Sequence, residues 1–165
     1  MDANQRGAIA ETAILHEATK RGIVVYLPAV DGARADMIFK AGASLLRVQC
    51  KSARLLGEVV EVRARTCRRG PNGTYIRGRY APDEVDAIAA YCMGNDTCYF
   101  LPLSLFASQV TLHLRLRAAR NNQRRLVHWA DDYRLGAIAQ LGERRAGSAK
   151  VVGSSPTSST SIVLR

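Results

Sequence analysis

The sequence predicts an α/β domain in which a mixed β-sheet is flanked by helices. A helical pattern occupies the first 21 residues, and short segments rich in β-branched residues follow it, separated by turns that contain Gly, Pro, Asn or Asp. The 165 residues, 47% of them hydrophobic, are enough for one domain with its own core. We assign this domain to residues 1–135 and a separate tail to residues 136–165.

The first helix is expected to begin at Asp2 or Asn4, either of which can cap it, and to end near Arg21, before Gly22. Its apolar stripe is formed by Ala8, Ile14, Leu15 and Ala18. Glu11 is predicted on that same stripe, where a carboxylate is costly unless a cation meets it. Glu11 is therefore a candidate functional residue, unless the register differs by one and it is simply solvated.

Four strands are predicted after this helix, at residues 23–28, 35–39, 45–51 and 58–65. The fourth strand alternates in polarity, because successive side chains point to opposite faces of a sheet. Its apolar positions are Val60, Val62 and Ala64, and its polar positions are Glu61, Arg63 and Arg65. Residues 67–79, with their turn at Pro71, are predicted to form an exposed basic loop.

Residues 82–103 fit either a helix or a buried hairpin. We favour a short helical turn at residues 82–84, then two strands joined by a turn at residues 94–96. A further turn of helix is expected near residues 103–107, and a strand at residues 110–117. In that strand Leu112, Leu114 and Leu116 are predicted to face inward and His113, Arg115 and Arg117 outward. Trp129 and Tyr133 are expected to cover an edge of the core.

The tail at residues 136–165 ends in Ser, Thr and Gly without periodicity, so we expect it to be disordered. It is similar to the peptide that a tRNA gene encodes when it is translated, with an acceptor-stem and D-arm segment at residues 136–145 and a T-arm segment at residues 152–157. We interpret it as a reading frame that continues into a neighbouring tRNA gene. The first 135 residues alone carry 20 basic and 13 acidic side chains, so the domain is basic without the tail.

Charge is the strongest feature of the composition. The chain has 24 Lys and Arg and 14 Asp and Glu, a net charge of +10 and a pI near 10.0. This balance favours a polyanionic partner over a merely basic soluble protein, because phosphates release counterions when clustered cations bind them. No apolar run reaches the roughly 18 residues of a membrane span, and the N-terminus has no secretory pattern, so we expect a cytoplasmic protein. The four cysteines lack zinc-site spacing and are expected to be reduced thiols.

Three polar residues on two neighbouring predicted strands suggest a metal site. An antiparallel pairing of residues 35–39 with residues 45–51 would bring Asp36 close to Gln49 and Lys51, and the latter two project from the same face. Asp36 can bind a divalent cation, and Gln49 or the carbonyl of Cys50 can complete its oxygen shell. Lys51 can act on a water molecule or stabilise charge on a phosphate. Glu11 can reach the same cation or pair with Lys51.

This arrangement resembles the PD-(D/E)xK nuclease superfamily, and in particular its branch of intron-encoded homing endonucleases and archaeal Holliday junction resolvases. The matching segments are GAIAE with Glu11, RADMIF with Asp36, and LLRVQCKSAR with Gln49 and Lys51. The hairpin at residues 80–104 and the later RNNQRR extend the resemblance over about residues 4–133. It implies a restriction-endonuclease-like core and hydrolysis of DNA phosphodiesters that depends on Mg²⁺ or Mn²⁺. The products would carry 5′-phosphate and 3′-hydroxyl ends.

The resemblance leaves three functions open, because Gln49 replaces the usual second acid and Ala35 replaces the usual Pro before Asp36. The leading function is a homing-type endonuclease, and the alternatives are a Holliday junction resolvase and a catalytically inactive DNA-binding module. Asp36 would otherwise cap a turn and Lys51 would protect an edge strand. Double-stranded or branched DNA is the expected partner, and a homodimer or homotetramer would supply two sites for cutting both strands. The expected DNA-binding residues are Arg63, Arg65, Arg68, Arg69, Arg115, Arg117, Arg120, Arg124 and Arg125.

Overall fold

The computed structural model describes residues 1–30, 32–70, 72–118 and 127–136. The predicted tail, apart from Gly136, lies outside the described residues, as do three of the predicted DNA-binding arginines, Arg120, Arg124 and Arg125. Among the described residues, no helix is long and apolar enough to cross a membrane.

The first helix, α1, spans Ala3–Lys20 and confirms the sequence prediction. Asp2 caps it by accepting a hydrogen bond from the backbone N–H of Gln5 at 2.8 Å, while the Gln5 side chain accepts from the Asp2 N–H at 3.2 Å. The helix ends before Gly22, whose φ of +73° favours glycine. The predicted stripe is confirmed at Ile14 and Ala18, with Leu15 partly buried, but Ala10 and not Ala8 is its third buried residue. Glu11 and Ala8 are exposed beside that stripe.

In the described parts of the chain, ten strands follow α1. Their bounds are β1 (Val24–Tyr26), β2 (Met37–Ala41), β3 (Ser44–Leu56), β4 (Val59–Arg63), β5 (Thr66–Arg69), β6 (Tyr75–Gly78), β7 (Ala87–Cys92), β8 (Thr97–Pro102), β9 (Thr111–Arg115) and β10 (His128–Trp129). Short 3₁₀ helices span Leu103–Phe106 and Ala130–Tyr133. Residues 82–84 form a turn that leads into the β7–β8 hairpin, which confirms the preferred interpretation of that segment.

The described part of the segment at residues 67–79 is largely exposed, as predicted, but the segment is not an irregular loop. The segment forms a separate two-stranded antiparallel sheet, β5–β6, in which Thr66 pairs with Gly78 and Arg69 with Tyr75. Gly70 accepts a hydrogen bond from the N–H of Gly73 at 3.0 Å and donates to the carbonyl of Thr74 at 2.7 Å, which closes the turn. The sequence suggested a loop because glycines and arginines are not typical of strands. The pairing of β5 with β6 is seen only in the structure.

The main sheet has eight strands and is mixed, as predicted. Its longest path runs β1-β2-β3-β4-β9-β10, and β7 pairs with both β3 and β8. β7 runs parallel to β3 and β10 runs parallel to β9, whereas the other pairs are antiparallel. β2 pairs with residues 44–48 of β3 and β4 with residues 54–56. Residues 49–53 therefore form the middle of β3, between the segments that pair with β2 and β4, and they pair with β7.

Two apolar clusters cover the two faces of β7. On one face Ala87 and Ala89 pack with Ile14 of α1 and with Val48 and Cys50 of β3. The opposite face of β7 packs against β4, β8 and β9, in a cluster that includes Val60, Val62, Ile88, Leu112 and Leu114. This second cluster confirms the predicted inward positions of the fourth and last long strands. Because β7 is buried on both faces, it reads as a continuous apolar run in the sequence.

Candidate active site

Asp36 lies immediately before β2, and its carboxylate is held against β3. Its Oδ2 accepts hydrogen bonds from the side-chain amide of Gln49 and from the backbone N–H of Cys50, the latter at 2.8 Å. The backbone N–H of Asp36 donates to the carbonyl of Val48 at 3.0 Å. The β2–β3 register therefore brings the predicted acid and amide into direct contact. Gln49 is only 9% exposed, so this contact is enclosed by protein.

Lys51 follows on the same face of β3 as Gln49, because the two residues are two apart in a strand. It is half-buried, and its Nζ lies 5.2 Å from the centre of the Tyr80 ring, within range of a cation–π interaction. Cys50 points the other way and is buried against α1, as the alternation predicts. The pair at positions 49 and 51 thus faces away from the helical core.

The charges of Glu11, Asp36 and Lys51 influence one another. Burial raises the pKa of Asp36, and this effect is opposed by the Cys50 hydrogen bond and by Lys51. The pKa of Glu11 is also raised, first by desolvation and then by Asp36, while Lys51 lowers it. Burial lowers the pKa of Lys51, and the nearby acids oppose that shift. The site therefore holds two carboxylates that an additional positive charge would stabilise.

The donor set fits a divalent cation that prefers oxygen ligands. Asp36 offers Oδ1, since both of its hydrogen bonds from the described residues reach Oδ2. Gln49 offers its amide oxygen after rotation of the amide, and Glu11 supplies a second carboxylate nearby. No group of three or more His, Cys, Asp or Glu suited to a metal exists in the described ranges. Position 49 holds an amide, so the carboxylates of the site are those of Asp36 and Glu11.

An ion pair beside this site fixes the start of β7 against β3. The guanidinium of Arg47 donates to both carboxylate oxygens of Asp86, at 2.9 and 2.8 Å, and the Arg47 backbone N–H donates to the same carboxylate at 2.7 Å. Arg47 also holds the turn through the carbonyls of Pro82, at 2.9 Å, and Asp83. Asp86 thus has a structural role at the start of β7.

Two of the predicted DNA-binding arginines that the structure describes lie beside acids. Arg63 lies 3.0 Å from Glu61, and Arg117 lies 3.6 Å from Glu58. Arg65 is exposed and Arg115 is half-buried, whereas Arg68 and Arg69 are placed only by the backbone of β5.

Glu61, on the outer face of β4, is more buried than the sequence predicted. The alternation placed it outward with the arginines, yet it is only 8% exposed. Arg63 at 3.0 Å, Arg54 at 4.0 Å and His113 at 3.6 Å surround it, and the Arg63 hydrogen bond lowers its pKa. The face formed by β3, β4 and β9 is therefore partly neutralised and is a weaker phosphate track than the sequence suggested.

Sequence reasoning missed Tyr80, whose ring covers Lys51. Burial raises the pKa of Tyr80, and the charge of Asp36 adds to that shift, so the hydroxyl remains protonated. A cavity of about 770 Å³ is lined by Tyr80 and by other residues that include Leu45, Val85 and Phe106. Asp36 and Lys51 are outside that lining. The only signal for Tyr80 in the sequence was its position at the end of the basic segment.

The fold and the residue cluster together define the class of protein. The profile of the PD-(D/E)XK endonuclease family matches residues 1–136, so the chain belongs to this family and is a nuclease. The resemblance seen in the sequence is thereby confirmed. Among solved structures, the fold is similar to that of a bacterial homing endonuclease, I-Ssp6803I. The TM-score is 0.68, and the alignment covers 92% of this chain and 100% of that chain at 23% identity. A search of curated proteins gave no match.

Proposed function

We propose that this chain is a Mg²⁺-dependent homing-type endonuclease that hydrolyses phosphodiester bonds of double-stranded DNA. The observation that carries the proposal is the contact of the Asp36 carboxylate with Gln49, followed by Lys51 on the same face of β3. An acid and an amide provide oxygen ligands for a hard cation, and a lysine beside them provides a charge for the phosphate.

Each side chain has a distinct role in this proposal. Asp36 is the main ligand of Mg²⁺ or Mn²⁺, and Gln49 and Glu11 assist it. The bound cation supplies Lewis-acid stabilisation of the charge that develops on the phosphate. Lys51 orients the attacking water and donates to a non-bridging oxygen of the same phosphate. The water oxygen attaches to phosphorus and the 3′-oxygen leaves as a hydroxyl, which gives a 5′-phosphate end.

The tRNA-like tail favours a homing-type enzyme over a junction resolvase, and the similar solved structure, that of a homing endonuclease, supports the fold. The tRNA-like tail fits a gene that has inserted beside a tRNA gene. A homo-oligomer, a dimer or a tetramer, would place two copies of the Asp36 cluster on opposite strands of one duplex.

The test is a cleavage assay with supercoiled plasmid and with a four-way DNA junction, each with and without Mg²⁺. Asp36→Asn and Lys51→Ala should each reduce cleavage by at least about 100-fold, because each removes a group that acts on the reacting phosphate. Asp132→Ala and Lys40→Ala change exposed residues of the same types outside the cluster and should cleave like the wild type.

The products separate the candidate functions. Discrete linear fragments from plasmid support the homing-type enzyme, whereas paired nicks in the junction alone would replace it with a resolvase. DNA binding without cleavage by the wild-type protein would mean that Gln49 leaves the chain inactive. Cleavage that persists in both Asp36→Asn and Lys51→Ala would refute the site assignment.

A further inference from the structure

The two-stranded sheet β5–β6, with its connecting turn, is a thin ribbon that stands apart from the main sheet. Its strands hydrogen-bond to each other and belong to no other sheet in the described residues. All four residues of β6 are exposed, including Tyr75 at 72% and Ile76 at 42%. An isolated hairpin of this size is marginally stable in water and gains from a partner that covers it. The exposure of an aromatic and an aliphatic side chain on it indicates such a partner surface.

The charge of this ribbon has one sign. The segment from Arg65 to Arg79 contains five arginines and no Asp or Glu. The arginines on β4 and after β9, in contrast, lie beside Glu61 and Glu58. The ribbon is thus a basic element whose own sequence contains no acid to neutralise it, which favours a polyanion as its partner.

The ribbon also begins and ends beside the candidate active site. Tyr80, which covers Lys51, follows β6 by two residues. At the start of the ribbon, Cys67 in β5 is close enough to Lys51 to influence the pKa of that ammonium group. A duplex whose scissile phosphate lies at Asp36 and Lys51 therefore passes the base of the ribbon.

We infer that the ribbon formed by residues 66–78 enters the major groove of the DNA next to the cleaved phosphate and reads base pairs there. The inference rests on the proposed function, because it uses the Asp36 cluster to position the duplex. The major groove is about 12 Å wide and admits a two-stranded β-ribbon, and four residues of strand extend about 13 Å. Arg77 is the exposed donor suited to guanine, and Tyr75, two residues away on the same face, provides an apolar surface for a thymine methyl group.

The test is selection of full-length protein on duplexes with a randomised segment, in Ca²⁺ in place of Mg²⁺, followed by sequencing of the bound pool. The wild type should enrich a motif. Arg77→Ala and Arg77→Lys should lose the preference at one short block of positions, keep it elsewhere, and bind the wild-type motif about 5- to 100-fold more weakly. Arg77→Lys should bind random duplex like the wild type, because it retains the charge. Lys20→Ala, at the far end of α1, should select the wild-type motif.

The inference is overturned by a wild-type protein that enriches no motif, or by a motif that stays complete in Tyr75→Ala and in both Arg77 variants. If Arg77→Ala weakens all duplexes equally and reduces the salt dependence by about one counterion, Arg77 binds phosphate and the base-reading role is refuted. Asp36→Asn separates this inference from the proposed function. This variant should select the wild-type motif and lose Mg²⁺-dependent cleavage. If Asp36→Asn still cleaves DNA, the proposed function is refuted, independently of the motifs that the Arg77 and Tyr75 variants select.

Discussion

Replacing Gln49 by Glu tests how the amide at this position balances stability against cation binding. In the wild type the Gln49 amide donates to Asp36 Oδ2 in a site that is only 9% exposed at Gln49. A glutamate has no donor when ionised, so it would place two carboxylates in contact without a proton between them. We expect the metal-free variant to take up one shared proton instead of tolerating this repulsion.

The magnitude follows from that proton. Protonating a carboxyl with an ordinary pKa of about 4.3 costs about 4 kcal/mol at pH 7 and about 1 kcal/mol at pH 5, at about 1.4 kcal/mol per pH unit. The shared proton has a raised pKa in the folded variant, so this contribution to stability is present at low pH and is lost as the pH rises. The free energy of unfolding should therefore fall by at most about 4 kcal/mol at pH 7 relative to the wild type. Mg²⁺ should reverse the loss, because the added carboxylate then becomes a ligand.

Urea denaturation at pH 5 and pH 7, with and without Mg²⁺, measures this linkage. A tenfold tighter Mg²⁺ site would add about 1.4 kcal/mol of stability at saturating Mg²⁺. Half-maximal cleavage should then require about tenfold less Mg²⁺. Gln109→Glu adds the same charge at an exposed position and should show neither effect. The reasoning is refuted if Gln49→Glu is as stable as the wild type at pH 7 without Mg²⁺, or if its Mg²⁺ requirement is unchanged.

Three further changes test contacts around the site. Tyr80→Leu should slow single-turnover cleavage about three- to thirtyfold, because the face of the Tyr80 ring lies over Lys51. Tyr80→Phe keeps the ring and should cleave at nearly the wild-type rate. Equal losses in both variants would contradict this. Asp86→Asn should lower the free energy of unfolding by about 1–2 kcal/mol at pH 7, since it weakens the half-exposed pair with Arg47. The difference in unfolding free energy between the wild type and Asp86→Asn should shrink below pH 4. Arg47 lowers the pKa of Asp86, so the pair stabilises the fold until the pH falls through that lowered pKa. Urea titrations at pH 7 and pH 3 measure this change. Asp2→Ala should cost about 1 kcal/mol in urea denaturation through loss of the α1 cap, and an unchanged midpoint would count against the capping box.

The local elements were largely predictable because their signals are short-range. A capping Asp and a terminal Gly define α1, and alternation located the buried valines of β4 and leucines of β9. The contact of Asp36 with Gln49 was accessible for the same reason, since a tight turn joins β2 to β3 and the register follows from it.

Three features depend on tertiary packing, and no pattern in the sequence contains them. Glu61 alternates as an outward residue, yet the arginines of β3 and β4 cover it until little is exposed. Tyr80 lies 29 positions from Lys51 in the sequence, and only the fold brings the two together. The exposed apolar residues of β6 resemble those of a loop because the strand buries neither face in the described protein.

Gln49 explains how the half-buried carboxylate of Asp36 is stabilised beside β3 in the absence of a cation. Burial raises the pKa of Asp36, because the charged carboxylate is less well solvated there than in water. The Gln49 amide and the Cys50 N–H offset that cost by donating to the same oxygen, which favours the ionised form of Asp36 and leaves its other oxygen for a ligand. A second acid at position 49 would strengthen the cation site only by removing one of these donors. The chain thus combines a stable metal-free site with a weaker hold on the cation, so its half-maximal cleavage should require a higher Mg²⁺ concentration than that of the Glu variant.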